Sequence, residues 1–189
     1  MEKLEVLNHV LDVMNEDAVS TVSSTLPTAQ RAVRVIERET KSLQKRSWWF
    51  NTDYNITLSA NVSGEVIIPD NATIVDFNRN DNYVQRGNRV YDPVNHTFVI
   101  NSSVILTRFV QAFDLSLLPE QAAEYVKHLS AQRMYEDDDG DPNKIVSLNT
   151  RTRQAWVDFN REHLKQSKVN SQLNPNVLLL KSGTQQAKP

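Results

Sequence analysis

A run of aspartates comes closer to a metal site, in residue type and spacing, than any other part of the sequence. Asp137, Asp139 and Asp141 alternate in the way that the first ligands of an EF-hand calcium loop do. The sixth loop position, which needs glycine for a sharp turn, is Pro142, and the twelfth, which should supply a bidentate glutamate, is Leu148. We therefore interpret the run as a solvated turn that interrupts helical sequence, and we predict no metal site there.

Other groups that could perform catalysis are sparse. The four histidines are His9, His96, His128 and His163, and no two of them have the spacing of a zinc pair on one helix. Without cysteine the chain has no thiolate nucleophile, and its four glycines form no phosphate-binding loop or nucleophile elbow. The sequence therefore predicts a protein that is not an enzyme and binds no cofactor. An aspartate-dependent hydrolase is a third-ranked hypothesis that rests on the acidic run alone.

Basic residues recur at helical spacing between residues 28 and 46. They step by three, four, three and four, and they are Arg31, Arg34, Arg38, Lys41 and Lys45. A second series steps by four, three, four and three, and it consists of Ala29, Val33, Ile36, Thr40 and Leu43. At about 100° per residue the two series lie on nearly opposite faces of one helix. The basic face is either solvated or paired with acids of a neighbouring helix, or it binds phosphates or an acidic partner.

Two apolar clusters are further candidates for contacts between molecules. Trp48, Trp49 and Phe50 are consecutive, so their side chains cannot all point in one direction. Either they pack at a junction in the core of the chain itself, or they anchor a contact between subunits. The polar segment after residue 166 contains one apolar tetrad, Val177, Leu178, Leu179 and Leu180. This tetrad is either a docking hook or an end that packs on the core of its own chain.

Composition limits the classes of function. The net charge is -2, and 39% of the 189 residues are hydrophobic, with a mean hydropathy of -0.50. No global positive charge drives nonspecific binding of nucleic acid, so any DNA contact requires a local patch. The N-terminus lacks the basic and apolar pattern of a signal peptide, and no apolar run is long enough to cross a bilayer. We expect a soluble protein that is made in the cytoplasm and does not contact a membrane.

The order of periodic segments predicts an α+β fold. Helical spacing covers residues 4–14, 28–46 with Thr28 as cap, a third segment that begins at Pro119, and residues 142–166. Between residues 48 and 113 the spacing changes to short apolar runs separated by turn residues, including runs at 66–68 and 98–100. We predict an antiparallel bundle of about four helices (1–47 and 114–166), an inserted β domain (48–113) and an extended C-terminal tail (167–189).

Several segments together resemble the tail tubular protein A family, the head-to-tail adaptors or connectors of short-tailed bacteriophages of the podovirus type. The segments are residues 8–11 (NHVL), 44–51 (QKRSWWFN), 84–92 (VQRGNRVYD), 113–114 (FD) and 118–120 (LPE). They are similar to the opening helix of the family, the Trp-x-Phe-Asn junction after its long helix, its Arg-Gly turn before a Tyr-Asp strand, and the Pro-Glu entry to its third helix. Ser47 stands where the family has glycine. The resemblance extends over about residues 5–165.

The resemblance implies a structural virion protein without catalytic activity. It implies a homo-oligomeric ring of twelve copies that joins the portal protein to the tail nozzle protein, with duplex DNA passing through the channel without specific binding. On this hypothesis the subunit or portal interface includes Arg31, Arg34, Arg38, Lys41, Lys45, Trp48, Trp49 and Val177–Leu180. Loops of the β domain around Arg86, Gly87 and Asn88 would face the nozzle. The alternative is a DNA-binding packaging or regulatory module that uses the basic helix 28–46.

Overall fold

A computed structural model describes residues 1–79, 81–138 and 140–167. Its helices are α1 (Lys3–Val13), α2 (Pro27–Leu43), α3 (Glu120–Glu136) and α4 (Pro142–Gln166), with a short 3-10 helix at Leu115–Leu117. Its strands are β1 (Thr52–Leu58), β2 (Ala72–Phe77), β3 (Val84–Arg86), β4 (Arg89–Tyr91) and β5 (Val104–Gln111). The predicted α+β class, with strands inserted between helices, is confirmed. Within the described chain, no helix is both long and apolar enough to span a membrane.

The helices share one hydrophobic core. Helices α1, α2 and α3 pack against one another, and α4 packs along α3 as the second arm of a hairpin. Small side chains such as Ala29, Ala32, Ala122 and Ala123 are almost fully buried, and they allow the helix axes to approach closely. Phe159 of α4 is also fully buried in this core. Helix α4 therefore turns the face that carries Leu148, Thr152 and Phe159 towards this core.

Proline or aspartate marks the first turn of three helices, and two of these helices begin at a different residue from the one predicted. Thr28 is not the cap of α2, because Pro27 occupies the first helical position and Leu26 precedes it as N-cap. Likewise Pro119 is the N-cap of α3 and not its first residue. Helix α4 has the predicted bounds, because the Asp141 side chain accepts a hydrogen bond from the backbone N–H of Asn143 at 3.0 Å.

The strands form two small sheets over a second hydrophobic cluster. Strand β5 lies between β1 and β2 in an antiparallel sheet, while β3 and β4 form a hairpin. The apolar runs at 66–68 and 98–100 take part in isolated β-bridges and do not extend into strands. Left-handed backbone at Gly64, His96 and Asn101 interrupts the regular ladders around them. Buried side chains of the cluster include Val66, Ile68, Val90, Val104, Leu106 and Phe109.

Two buried amides connect the helical part to the strands. Gln44, which has no exposed surface, exchanges two hydrogen bonds of 2.8 Å with the backbone of Phe113. Asn51 accepts a hydrogen bond from the N–H of Trp48 at 2.8 Å and donates to the carbonyls of Gln44 and Arg46. The chain leaves the helices after α2 and returns to them near Phe113, so these bonds hold both crossings together. They also explain why α2 ends at Leu43, before the predicted residue 46.

Candidate interaction surfaces

The acidic run has structural roles in the described part of the chain. Asp137 and Asp138 pair with Arg31 of α2, and Asp141 caps α4. Asp139 lies outside the described residues. Among those that are described, no group of three or more acidic or histidine side chains is placed to hold a metal ion. The charges of Asp137, Asp138 and Asp141 are thus used in contacts within the chain.

The basic face of α2 points away from the helical core. Four of its members, Arg31, Arg34, Arg38 and Lys41, lie within an arc of about 80°, buried Ile36 lies opposite the centre of that arc, and Lys45 follows in the turn after Leu43. Arg31 is half-buried against the turn between α3 and α4, and Arg38 donates to its neighbour Glu39 at 2.9 Å. Arg34, Lys41 and Lys45 are exposed and form no ion pair with any described residue. The face is therefore neutralised within the chain only in part.

The two tryptophans have different environments. Trp48 is 6% exposed, and its indole N–H donates to the carbonyl of Leu43 at 2.7 Å. Its ring meets that of Phe159 at 4.5 Å and that of His163 at 5.0 Å between centroids. Trp48 thus lies in the core of its own chain and presents little surface to a second molecule. Trp49 is half-buried over Phe159, at 5.5 Å, and retains surface that another subunit could contact.

The β3–β4 hairpin presents its turn to solvent. Arg86, Gly87 and Asn88 are exposed, and Gly87 has a φ of 63°, which glycine adopts without strain. The Arg86 guanidinium stacks over the Tyr91 ring at 3.6 Å from its centroid. This stacking reduces the freedom of the Arg86 side chain. The apolar tetrad Val177–Leu180 lies outside the described residues.

A pair of half-buried histidines was not identified from the sequence. His9 of α1 and His128 of α3 meet edge to face, with 5.3 Å between ring centroids. Nε2 of His9 and Nδ1 of His128 are buried without a hydrogen-bond partner among the described residues. Burial lowers the pKa of both side chains, and the nearby Lys127 ammonium lowers it further. Because the two residues lie on different helices, their spacing in sequence contains no signal of this contact.

Comparison with known proteins covers most of the chain. A family model described as "Tail tubular protein" matches residues 4–172. The chain is 25% identical to Tail tubular protein A of Klebsiella phage KP34 over 173 aligned residues. The alignment covers 90% of this chain and 91% of that protein. Both matches take in the helical part and the strands together. The similarity is therefore not confined to one motif or one surface.

Proposed function

The chain belongs to the tail tubular protein family, and we propose that it forms an adaptor ring between the portal and the tail nozzle of a short-tailed bacteriophage. Within that family it is a structural component of a phage tail. The observation that carries the more specific proposal is the extent of the match, from residue 4 to residue 172. It supports a role for the whole fold, as expected of an assembly subunit.

The exposed surfaces are consistent with a subunit that completes its contacts in an assembly. Arg34, Lys41 and Lys45 lack ionic partners in the described chain, and Trp49 leaves part of its ring uncovered. We propose that these residues contact a neighbouring copy or the portal, and that the Arg86–Asn88 turn contacts the nozzle. The resemblance implies twelve copies in the ring. We assign no catalytic activity and no cofactor.

Complex formation with the portal tests this proposal. The full-length chain is mixed with the purified portal ring of the same phage, and the mass of the complex is measured by native mass spectrometry. We expect a species that contains the portal and a ring of added subunits, and the portal alone provides the reference mass. Recovery of the portal mass alone, at chain concentrations well above those of the portal, would show that the adaptor proposal is wrong.

The contribution of the C-terminal segment is tested separately. A chain that ends at residue 166 lacks Val177–Leu180 and is compared with the full-length chain in the same portal mixture. If the tetrad is a docking hook, the shorter chain should bind the portal more weakly. Undiminished binding would eliminate the hook and leave the adaptor proposal intact, because the remaining surfaces are still present.

Exposure of the basic face also favours a second candidate, a DNA-binding packaging or regulatory module. Such a module should bind duplex DNA with an affinity that falls steeply with salt, because each phosphate contact releases counterions. Neutralising Arg34 and Lys41 as Arg34→Gln and Lys41→Gln should reduce both the affinity and the salt dependence. An electrophoretic shift assay at low salt measures this, and failure of the unaltered chain to retard duplex DNA would rule the module out. The adaptor proposal expects no retardation by the assembled ring, since a conduit should let DNA slide.

A further inference from the structure

We propose that the basic face of α2 in one copy binds an acidic edge of α1 in the next copy. The acidic edge consists of five exposed residues: Glu5 and Asp12 lie on α1, Glu2 precedes the helix, and Glu16 and Asp17 follow it. This inference rests on the proposed ring, because it names the two surfaces that would form the contact between neighbouring subunits. It commits the unpaired cations of α2 to a second copy of this chain and not to DNA.

The near-neutral net charge conceals two segments of opposite sign. Residues 2–17 contain five acids and one lysine, whereas residues 27–46 contain six bases and two acids. Complementary potentials on two surfaces steer their encounter and fix the register of the complex. The two segments have net charges of equal size and opposite sign, so each could neutralise the other across a subunit boundary.

Within one chain the two surfaces do not neutralise each other. The ion pair that joins α1 to α2 has the reverse polarity, because Lys3 of α1 meets Glu37 of α2 at 2.5 Å. None of the five edge residues forms a salt bridge with a described residue, although Glu16 accepts a weak hydrogen bond from the Thr28 hydroxyl at 3.4 Å. Glu5 and Asp12 are seven residues apart and so share one face of α1, away from the buried Val6 and Val10.

Local helix electrostatics do not account for the acids at the end of α1. The carboxylate of Asp12 lies in the last turn, where the helix dipole disfavours negative charge, and Glu16 and Asp17 follow directly after it. No basic residue of α1 occupies that turn, and the Lys144 ammonium of α4 donates to the carbonyl of Val13 at 2.7 Å without forming an ion pair with Asp12, Glu16 or Asp17. A cationic surface from a neighbouring molecule would supply the counter-charge that these three carboxylates lack. The basic face of α2 is long enough for this, since its 17 residues extend over about 25 Å, against about 16 Å for the 11 of α1.

The contact would join two different surfaces, so it is heterologous. Contacts of this kind repeat from copy to copy and close into a ring when the rotation permits. A self-complementary contact would instead stop at a dimer. Charge complementarity between α1 and α2 thus supports the cyclic assembly in the proposed function. It also sets the order of the contact around the ring, in which α2 of each copy meets α1 of the next.

Crosslinking tests the contact directly, because the native chain has no cysteine and therefore does not react with thiol reagents. One chain carries Lys41→Cys, a second carries Asp12→Cys, and the two are mixed with the portal ring and treated with a flexible bis-maleimide. We expect crosslinked dimers that contain one chain of each kind. Arg153→Cys, at an exposed position on α4, replaces either partner as the matched control and should give no such product.

Charge reversal provides an independent measurement. Arg34→Glu with Lys41→Glu, or Glu5→Lys with Asp12→Lys, should weaken assembly by about a hundredfold, since like charges across an interface are strongly unfavourable. A chain with all four changes should assemble again, because each reversed α2 then meets a reversed α1. All four residues are exposed, and circular dichroism verifies that each variant folds. Recovery in the fourfold variant distinguishes a direct contact from general damage.

The outcomes separate this inference from the proposed function. A ring on the portal without the mixed crosslink, or with full assembly after single-surface reversal, would overturn the inference and leave the adaptor role standing. Mixed crosslinks in the absence of any portal complex would support the contact and contradict the adaptor role. Loss of duplex DNA binding in the α2 reversal, with assembly unchanged, would assign the basic face to DNA and likewise overturn the inference.

Discussion

Replacement of Gln44 by leucine should weaken the connection between the helices and the strands. The Gln44 amide donates to the carbonyls of Thr40 and Phe113 at 3.1 and 2.8 Å, and it accepts from the N–H of Phe113 at 2.8 Å. Leucine fills a similar volume but forms none of these bonds. The backbone N–H and C=O of Phe113 then lose their side-chain partner in a site that is partly buried. The perturbation therefore tests polar satisfaction with little change in packing volume.

The expected cost is about 3 kcal/mol, because each buried polar group left without a partner costs about 1–3 kcal/mol and two are involved. With a urea m-value of about 2 kcal/mol/M, the midpoint of unfolding should fall by about 1.5 M. Equilibrium unfolding in urea, followed by circular dichroism and tryptophan fluorescence, measures the shift. Both signals should move together if the amide stabilises the fold as one cooperative unit.

Gln30→Leu is the matched control, since Gln30 lies on α2, is exposed and makes no side-chain hydrogen bond with a described residue. A surface change of this kind should alter the free energy of unfolding by less than about 0.5 kcal/mol. If Gln44→Leu costs less than about 1 kcal/mol, or no more than Gln30→Leu, the reasoning about this junction is refuted. The strands would then be held to the helices mainly by other contacts.

Three further outcomes are expected. Burial lowers the pKa of His9 and His128 below 6.5 in the folded chain. Their contribution to the free energy of unfolding is therefore complete above pH 6.5 and is lost as the pH falls through their pKa values in the folded chain. Urea unfolding from pH 7.5 to 5 should show this loss, and His9→Leu should make it smaller. Trp48→Phe should cost about 2 kcal/mol in the same assay at pH 7.5, because the carbonyl of Leu43 loses its indole donor, and an unchanged midpoint would contradict the core position. Gly140→Ala should cost about 1–3 kcal/mol, because a β-carbon there would lie 2.2 Å from the Tyr135 ring; a neutral effect would mean that this ring moves aside freely.

The helices were predictable because their signals are local. The α4 segment carries its own start in Asp141 and Pro142 and repeats apolar residues at helical spacing, so its bounds follow from neighbouring residues alone. The bridges at 66–68 and 98–100 were not predictable in the same way. Whether they extend into strands depends on backbone conformation at Gly64 and Asn101 and on partners far away in the chain. The end of α2 likewise depends on Gln44 reaching Phe113, 69 residues later.

For the candidate surfaces, too, features local to one element were predictable from the sequence and contacts between elements were not. Helical spacing placed Arg31 and Arg34 on one face of α2, but it could not show that Arg31 pairs with Asp137 and Asp138 while Arg34 has no ionic partner among the described residues. The sequence left Trp48 and Trp49 either at a core junction or in a contact between subunits, and only tertiary packing separates the buried ring from the half-buried one. The two histidines lie on different helices, so no regular spacing in the sequence indicates that they meet. The spacing of residues in the sequence describes one helix or strand at a time. A site also depends on the side chains of the other elements that pack against that helix or strand.

One contact could account both for assembly and for weak interaction with DNA. If the basic face of α2 is covered by the acidic edge of a neighbouring α1, the cations that could grip phosphates are neutralised at the boundaries between subunits. The remaining surface would then carry the slight negative charge that the net value of -2 indicates, and it would repel the DNA backbone. Raising the salt concentration should therefore loosen the ring by screening α1 from α2, and it should not release bound DNA, because none is held there. A lumen lined with free cations would show the opposite response.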